Sequence, residues 1–119
     1  MFKIEGDSIY LTRGDTLKVT VGMWTDETQT EEYVPISGDS LRFYLKTYRY
    51  KRDKSDYYED EPLITKVIPI DTQILKLEPE DTKPLPVGDY VYDIELTKVD
   101  GTVDTFINNA PFKLVYEVG

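Results

Sequence analysis

Carboxylates are the first chemistry that the sequence offers. Glu5, Asp39, Asp93, Glu95 and Asp104 are spread over segments that read as strands. Two carboxyls facing each other across a cleft can hydrolyse a glycosidic bond, one as acid and the other as base or nucleophile. Their spacing alone does not place two of them across a common cleft, so no catalytic pair is assigned. A second group, Asp53, Asp56, Glu59, Asp60 and Glu61, has the oxygen ligands that suit calcium. Its spacing departs from that of an EF-hand loop, and Lys54 sets an ammonium beside Asp53, so no metal site is assigned either. Histidine and cysteine are both absent. That removes zinc, iron–sulfur and haem ligation, together with Cys–His and Ser–His–Asp catalysis. No Gly-rich loop leads into Gly-Lys-Ser/Thr to cradle a phosphate. The expectation is a non-enzymatic protein with no catalytic residue, cofactor or metal.

Recognition chemistry is better represented. Tyr48, Tyr50, Tyr57 and Tyr58 are interleaved through a 14-residue stretch, Tyr48–Glu61, whose first half is basic and second half acidic. Tyrosine offers rigid apolar area with a polar tip, which protein interfaces enrich, and a loop of this length is often functional. These four tyrosines are the candidate interaction residues; a solvated loop, or two strand extensions pairing basic against acidic side chains, is the other reading. Stacking on nucleic acid is disfavoured, because the acidic half neutralises the basic half locally. Trp24 with the same tyrosines could form a sugar-binding face, although its place at a strand end reads more simply as rim packing. Arg13-Gly14-Asp15 spells the tripeptide that integrins bind. It reads first as a turn, with Gly14 taking a positive φ and Asp15 opening the next strand.

The elements that position these residues are strands. Tyrosine accounts for 10 of 119 residues, and alanine occurs once, at Ala110, where a helical protein would use it freely. Leu17, Val19, Val21 and Met23 alternate with polar or small residues, as do Leu41, Phe43 and Leu45. Tyr90, Tyr92, Ile94 and Leu96 repeat the pattern, followed by Phe112, Leu114, Tyr116 and Val118. A period of two with one apolar parity marks a strand with one buried face. Leu63–Leu77 reads as two strands around Pro69-Ile70-Asp71-Thr72. Asp100-Gly101 reads as a two-residue hairpin turn between Tyr90–Val99 and Thr102–Asn108. Eight to nine strands without a repeat or linker predict one domain over residues 1–119, an all-β antiparallel sandwich, with a small closed barrel as the alternative.

Charge and hydropathy narrow the partners. A net charge of −9 disfavours a phosphate backbone or an anionic membrane, both of which need clustered Lys and Arg. No apolar run approaches the roughly 20 residues of a membrane-spanning helix. The opening residues lack the basic segment and apolar core of a secretory signal, so synthesis and retention in a cytoplasm, or export within an assembly, is expected.

Leu75-Lys76-Leu77-Glu78-Pro79-Glu80-Asp81-Thr82 passes through an acidic one-turn helix and leads to Gly88-Asp89-Tyr90-Val91-Tyr92. This resembles the crossover of immunoglobulin-like sandwiches, in which a tyrosine hydroxyl bonds back to the corner backbone; Tyr90 or Tyr92 fills that role. Leu77–Thr82 and Gly88–Leu96, with Ile9-Tyr10-Leu11-Thr12-Arg13-Gly14-Asp15-Thr16, resemble small immunoglobulin-like phage and prophage proteins similar to the N-terminal domain of the baseplate upper protein. The resemblance implies a virion structural or attachment module of tail or baseplate type, made in the bacterial host cytoplasm. Its partners would be other virion proteins or itself, as an oligomer, with neither nucleic acid nor membrane. A carbohydrate- or cell-surface-binding module on the same fold is the alternative.

Overall fold

The computed structural model describes residues 2–5, 7–23, 31–47 and 62–116, with backbone alone for residues 2–5. The described residues are all-β apart from one helical turn. Strands β1 (Phe2–Glu5), β2 (Ser8–Thr12), β4 (Ser40–Thr47), β5 (Ile64–Ile68), β7 (Gly88–Thr97) and β8 (Val103–Val115) form one sheet in the order β1-β2-β8-β7-β4-β5. Strands β3 (Leu17–Thr20) and β6 (Ile74–Leu77) form a second, two-stranded sheet. Helix α1 (Pro79–Thr82) follows β6. No helix among the described residues is long and apolar enough to cross a membrane.

Alternation translates directly into burial. Leu41, Phe43 and Leu45 on β4 are fully buried, and Tyr90, Tyr92, Ile94 and Leu96 on β7 are all at most 8 % exposed. Leu17, Val21 and Met23 face the same interior, as do Leu75 and Leu77 from β6, so both sheets contribute to one core. Its centre is aromatic. The rings of Phe43 and Tyr92 lie 5.6 Å apart, those of Tyr92 and Phe112 6.2 Å, and those of Phe43 and Phe112 6.3 Å. These tilted and edge-on arrangements are the ones that aromatic quadrupoles favour.

Four expectations require correction. The larger sheet is mixed: β2 runs parallel to β8, with Ile9 opposite Phe112 and Thr12 opposite Val115, and the other pairs are antiparallel. Almost the whole chain lies between these two strands, which gives ample length for the crossover that a parallel pair needs. Residues read as two separate stretches, 102–108 and 112–118, belong to one 13-residue strand. Two irregularities shift its register against β7, between Tyr92 and Ile94 and between Ile94 and Glu95. The β7–β8 turn has three loop residues rather than two. Lys98 N–H donates to Thr102 O, and Gly101 N–H to Lys98 O, with Gly101 at φ 92°. Finally, Tyr116 is 78 % exposed, because the last pairings of β8 are Gly88 with Leu114 and Thr12 with Val115.

The corner between β6 and β7 is built from local polar contacts. Pro79 opens α1, where a missing N–H costs nothing, and Glu78 N–H donates to Asp81 Oδ2 at 2.7 Å. Lys66 of β5 reaches the same carboxylate at 2.9 Å, tying the edge of the large sheet to the corner. Thr82 is fully buried, and its Oγ1 accepts the Gly14 N–H at 2.9 Å. Arg13-Gly14-Asp15 is therefore a half-buried turn. Arg13 N–H donates to Val115 O, Asp15 N–H donates to Thr12 O, and Gly14 takes φ 84°. Replacing Thr82 with the isosteric valine strands the Gly14 donor. We expect urea unfolding of Thr82→Val to show a loss of roughly 1–2 kcal/mol with an unchanged m-value.

Candidate functional site

Tyr48, Tyr50, Tyr57 and Tyr58 lie outside the described residues, as do Trp24 and the carboxylates from Asp53 to Glu61. What is defined is the frame that carries the tyrosine segment. It leaves β4 at Thr47 and returns to β5, where Leu63 N–H donates to Leu45 O at 2.7 Å. Since β4 and β5 are antiparallel neighbours, the segment connects adjacent strand ends. Thr47 pairs with Tyr90, which puts these ends at the β7 start, on the side of the α1 corner.

The other end of the sheet is defined in side-chain detail, and its organiser is Asp39. Its carboxylate is buried and takes three donors from two parts of the chain. Tyr33 Oη donates to Oδ2 at 2.7 Å, Ile36 N–H donates to Oδ2 at 3.0 Å, and Val99 N–H donates to Oδ1 at 3.0 Å. Three donors to one carboxylate favour its charged form. The Tyr33 hydroxyl, then the Ile36 amide, hold the Asp39 carboxyl below its ordinary range, with Val99 and Lys98 adding to the effect. Tyr33 moves the opposite way, raised first by its bond to Asp39. Gly38 beside it sits at φ 98°, and a Cβ there would come within 2.7 Å of Val99 Cγ2. Glycine is required at this position for space as well as for conformation. Lys98 completes the group, its ammonium 5.1 Å from the Tyr33 ring centroid.

This staple binds the segment before β4 to the β7–β8 turn. It was not readable from the sequence, where Asp39 is one of several scattered carboxylates. Ser37-Gly38-Asp39 before β4 has the composition of a turn, but nothing in the spacing points to Val99, 60 residues away. Of the other carboxylates, Asp93 and Glu95 stand on the face of β7 opposite the core residues. Asp93 Oδ1 accepts Asn109 N–H at 2.7 Å and Oδ2 meets Lys46 Nζ at 2.6 Å, so it caps the irregular part of β8, where Asn109 takes φ 52°. Asp104 is exposed near the start of β8, and the described part of Glu5 is its backbone in β1. Among the described residues, no three His, Cys, Asp or Glu side chains converge as metal ligands would.

The hydroxyl-to-corner contact expected of Tyr90 or Tyr92 is made by Tyr90, which donates to Pro86 O at 2.6 Å. Tyr92 donates instead to Asp7 O, pinning the β1–β2 turn against the core. Burial raises both phenols, Tyr92 to about 12 with help from the Asp7 carboxylate. No family model matches the chain, and comparison with curated proteins and with solved structures yields no significant match.

Proposed function

We propose that the chain is an immunoglobulin-like β-sandwich acting as a non-enzymatic structural or attachment module of a phage or prophage virion, through protein–protein contacts. The observation that supports this best is the Tyr90–Pro86 bond at the crossover from the two-stranded sheet into β7. A tyrosine that bonds back to the corner backbone at this point in the chain is a feature of immunoglobulin-like sandwiches. The two sheets sharing one core agree with that architecture. The step from fold to virion rests on the resemblance of the Ile9–Thr16, Leu77–Thr82 and Gly88–Leu96 segments. Such a component is made in the bacterial cytoplasm and needs neither cofactor nor membrane.

In this reading the tyrosines at 48, 50, 57 and 58 supply contact area beyond the β4–β5 ends. Light scattering after size exclusion, over a range of concentration and salt, is expected to give a discrete oligomer. The variant with all four tyrosines changed to serine is expected to be monomeric and to melt within a few degrees of the parent. A large fall in melting temperature would place the tyrosines in the core and sink their contact role. A parent that is monomeric throughout the range removes the homo-oligomeric form of the proposal.

A further inference from the structure

Seven large apolar side chains are exposed among the described residues, and four of them, Val34, Ile36, Val99 and Val103, fall on the two segments that Asp39 staples together. The backbones of Ile36 and Val99 come close together, since their amides converge on the two oxygens of one carboxylate. Contiguous apolar surface within a polar rim is a mark of a protein contact. The rim here has a sign. Residues 31–38 and 98–104 carry Glu31, Glu32, Asp100 and Asp104 against a single cation, Lys98, which is held over the Tyr33 ring. Two copies meeting through this end would bring like charges together, whereas a basic partner would be attracted. The β5 edge is a poorer docking route. The inward-facing Lys66 on edge strand β5 is bound to Asp81 and the strand is followed by Pro69; both are devices that blunt edge pairing.

We propose that the surface around Ile36 and Val99 docks a segment of another protein that presents an apolar side chain flanked by Arg or Lys. This rests on reading the chain as an assembly module, and it names a contact separate from the tyrosine segment, at the opposite end of β4. Asp39 gives the surface its affinity indirectly, by fixing the two loops before a partner arrives, so that little ordering entropy is lost on docking.

Two synthetic peptides of equal length, one alternating Leu with Arg and the other Leu with Glu, test this on the full chain by amide chemical-shift titration. The Leu/Arg peptide is expected to shift the amides of Ile36 and of residues 99–103, and to weaken about tenfold or more as salt screens the rim. The Leu/Glu peptide is expected not to bind there. Val99→Asp should abolish the shifts. Glu32→Lys combined with Asp104→Lys should weaken the Leu/Arg peptide by about tenfold, each variant keeping the parental melting temperature because all three side chains are exposed. Equal binding of both peptides, shifts centred elsewhere, or an unaltered affinity in the double charge variant would overturn the proposal. If this surface is silent while the protein still self-associates through its tyrosines, the docking proposal falls and the assembly reading stands; loss of self-association with intact docking separates them the other way.

Discussion

Phe43→Ala is expected to remove roughly 4 kcal/mol of stability, a large fraction of what a domain of this size has to spare. The side chain is fully buried at the middle of β4, and β4 is hydrogen-bonded on both sides, with Phe43 opposite Lys66 of β5 and Ile94 of β7. Two aromatic neighbours, Tyr92 and Phe112, lose their contact when the ring is deleted. They come from β7 and β8 and are held by the ladder, so they cannot collapse into the space. The penalty then combines lost transfer energy with an unfilled cavity. Urea unfolding should show the midpoint collapsing with little change in slope, and thermal melting should drop by roughly 15 °C or more. Phe43→Leu, which keeps most of the volume, should lose well under half as much. A loss below about 1 kcal/mol for the alanine variant would mean that the aromatic trio is not the packing centre.

The core was legible because its grammar is local. A residue's parity along a strand decides which side it faces, and Leu41, Phe43 and Leu45 needed no knowledge of a neighbour to be placed inside. The same rule failed at Tyr116, where parity was right but the neighbouring strands had already ended; burial requires a partner as well as an orientation. Strand direction was invisible for a related reason. Ile9 and Leu11 alternate identically whether β8 runs with them or against them, so the parallel β2–β8 pair had no signature. The β8 irregularities were hidden too. Asn109 adopts a positive φ without being glycine, and the group that stabilises its N–H is Asp93, on another strand.

The Asp39 staple shows where legibility of the candidate surface stopped. Ser37-Gly38-Asp39 has the composition of a turn, and turn chemistry is read from short windows. What turns this corner into a preformed surface is Val99 N–H arriving from the β7–β8 turn, a contact set by topology. Its four exposed aliphatic residues carry no motif either. Three stand on loops and Val103 opens β8, and only the fold gathers them at one end.

Alkaline pH should unfold the protein earlier than its acidic composition suggests, through Tyr92. In an unfolded chain this phenol loses its proton near pH 10, whereas in the folded protein burial, followed by the Asp7 carboxylate, pushes it up to about 12. Between those values the unfolded state binds fewer protons than the folded one, so stability falls as pH rises. The contribution is present in full below pH 10 and is lost by about pH 12, amounting to roughly 2–3 kcal/mol. Tyr90, raised by burial, and Tyr33, raised mainly by its bond to Asp39, act in the same direction. Urea midpoints measured from pH 8 upward should be level to about pH 10 and then decline, with tyrosinate absorbance appearing in step with unfolding. Tyr92→Phe separates the two roles of the hydroxyl. It leaves Asp7 O without its donor, which should cost about 1 kcal/mol at neutral pH, and it removes the ionisable group, so the alkaline decline should be shallower. The two stability curves should therefore cross between pH 10 and 12, with the variant the more stable above the crossing. A decline equally steep in both would show that Tyr92 is not the buried phenol that resists ionisation, and would shift the burden to Tyr90 and Tyr33.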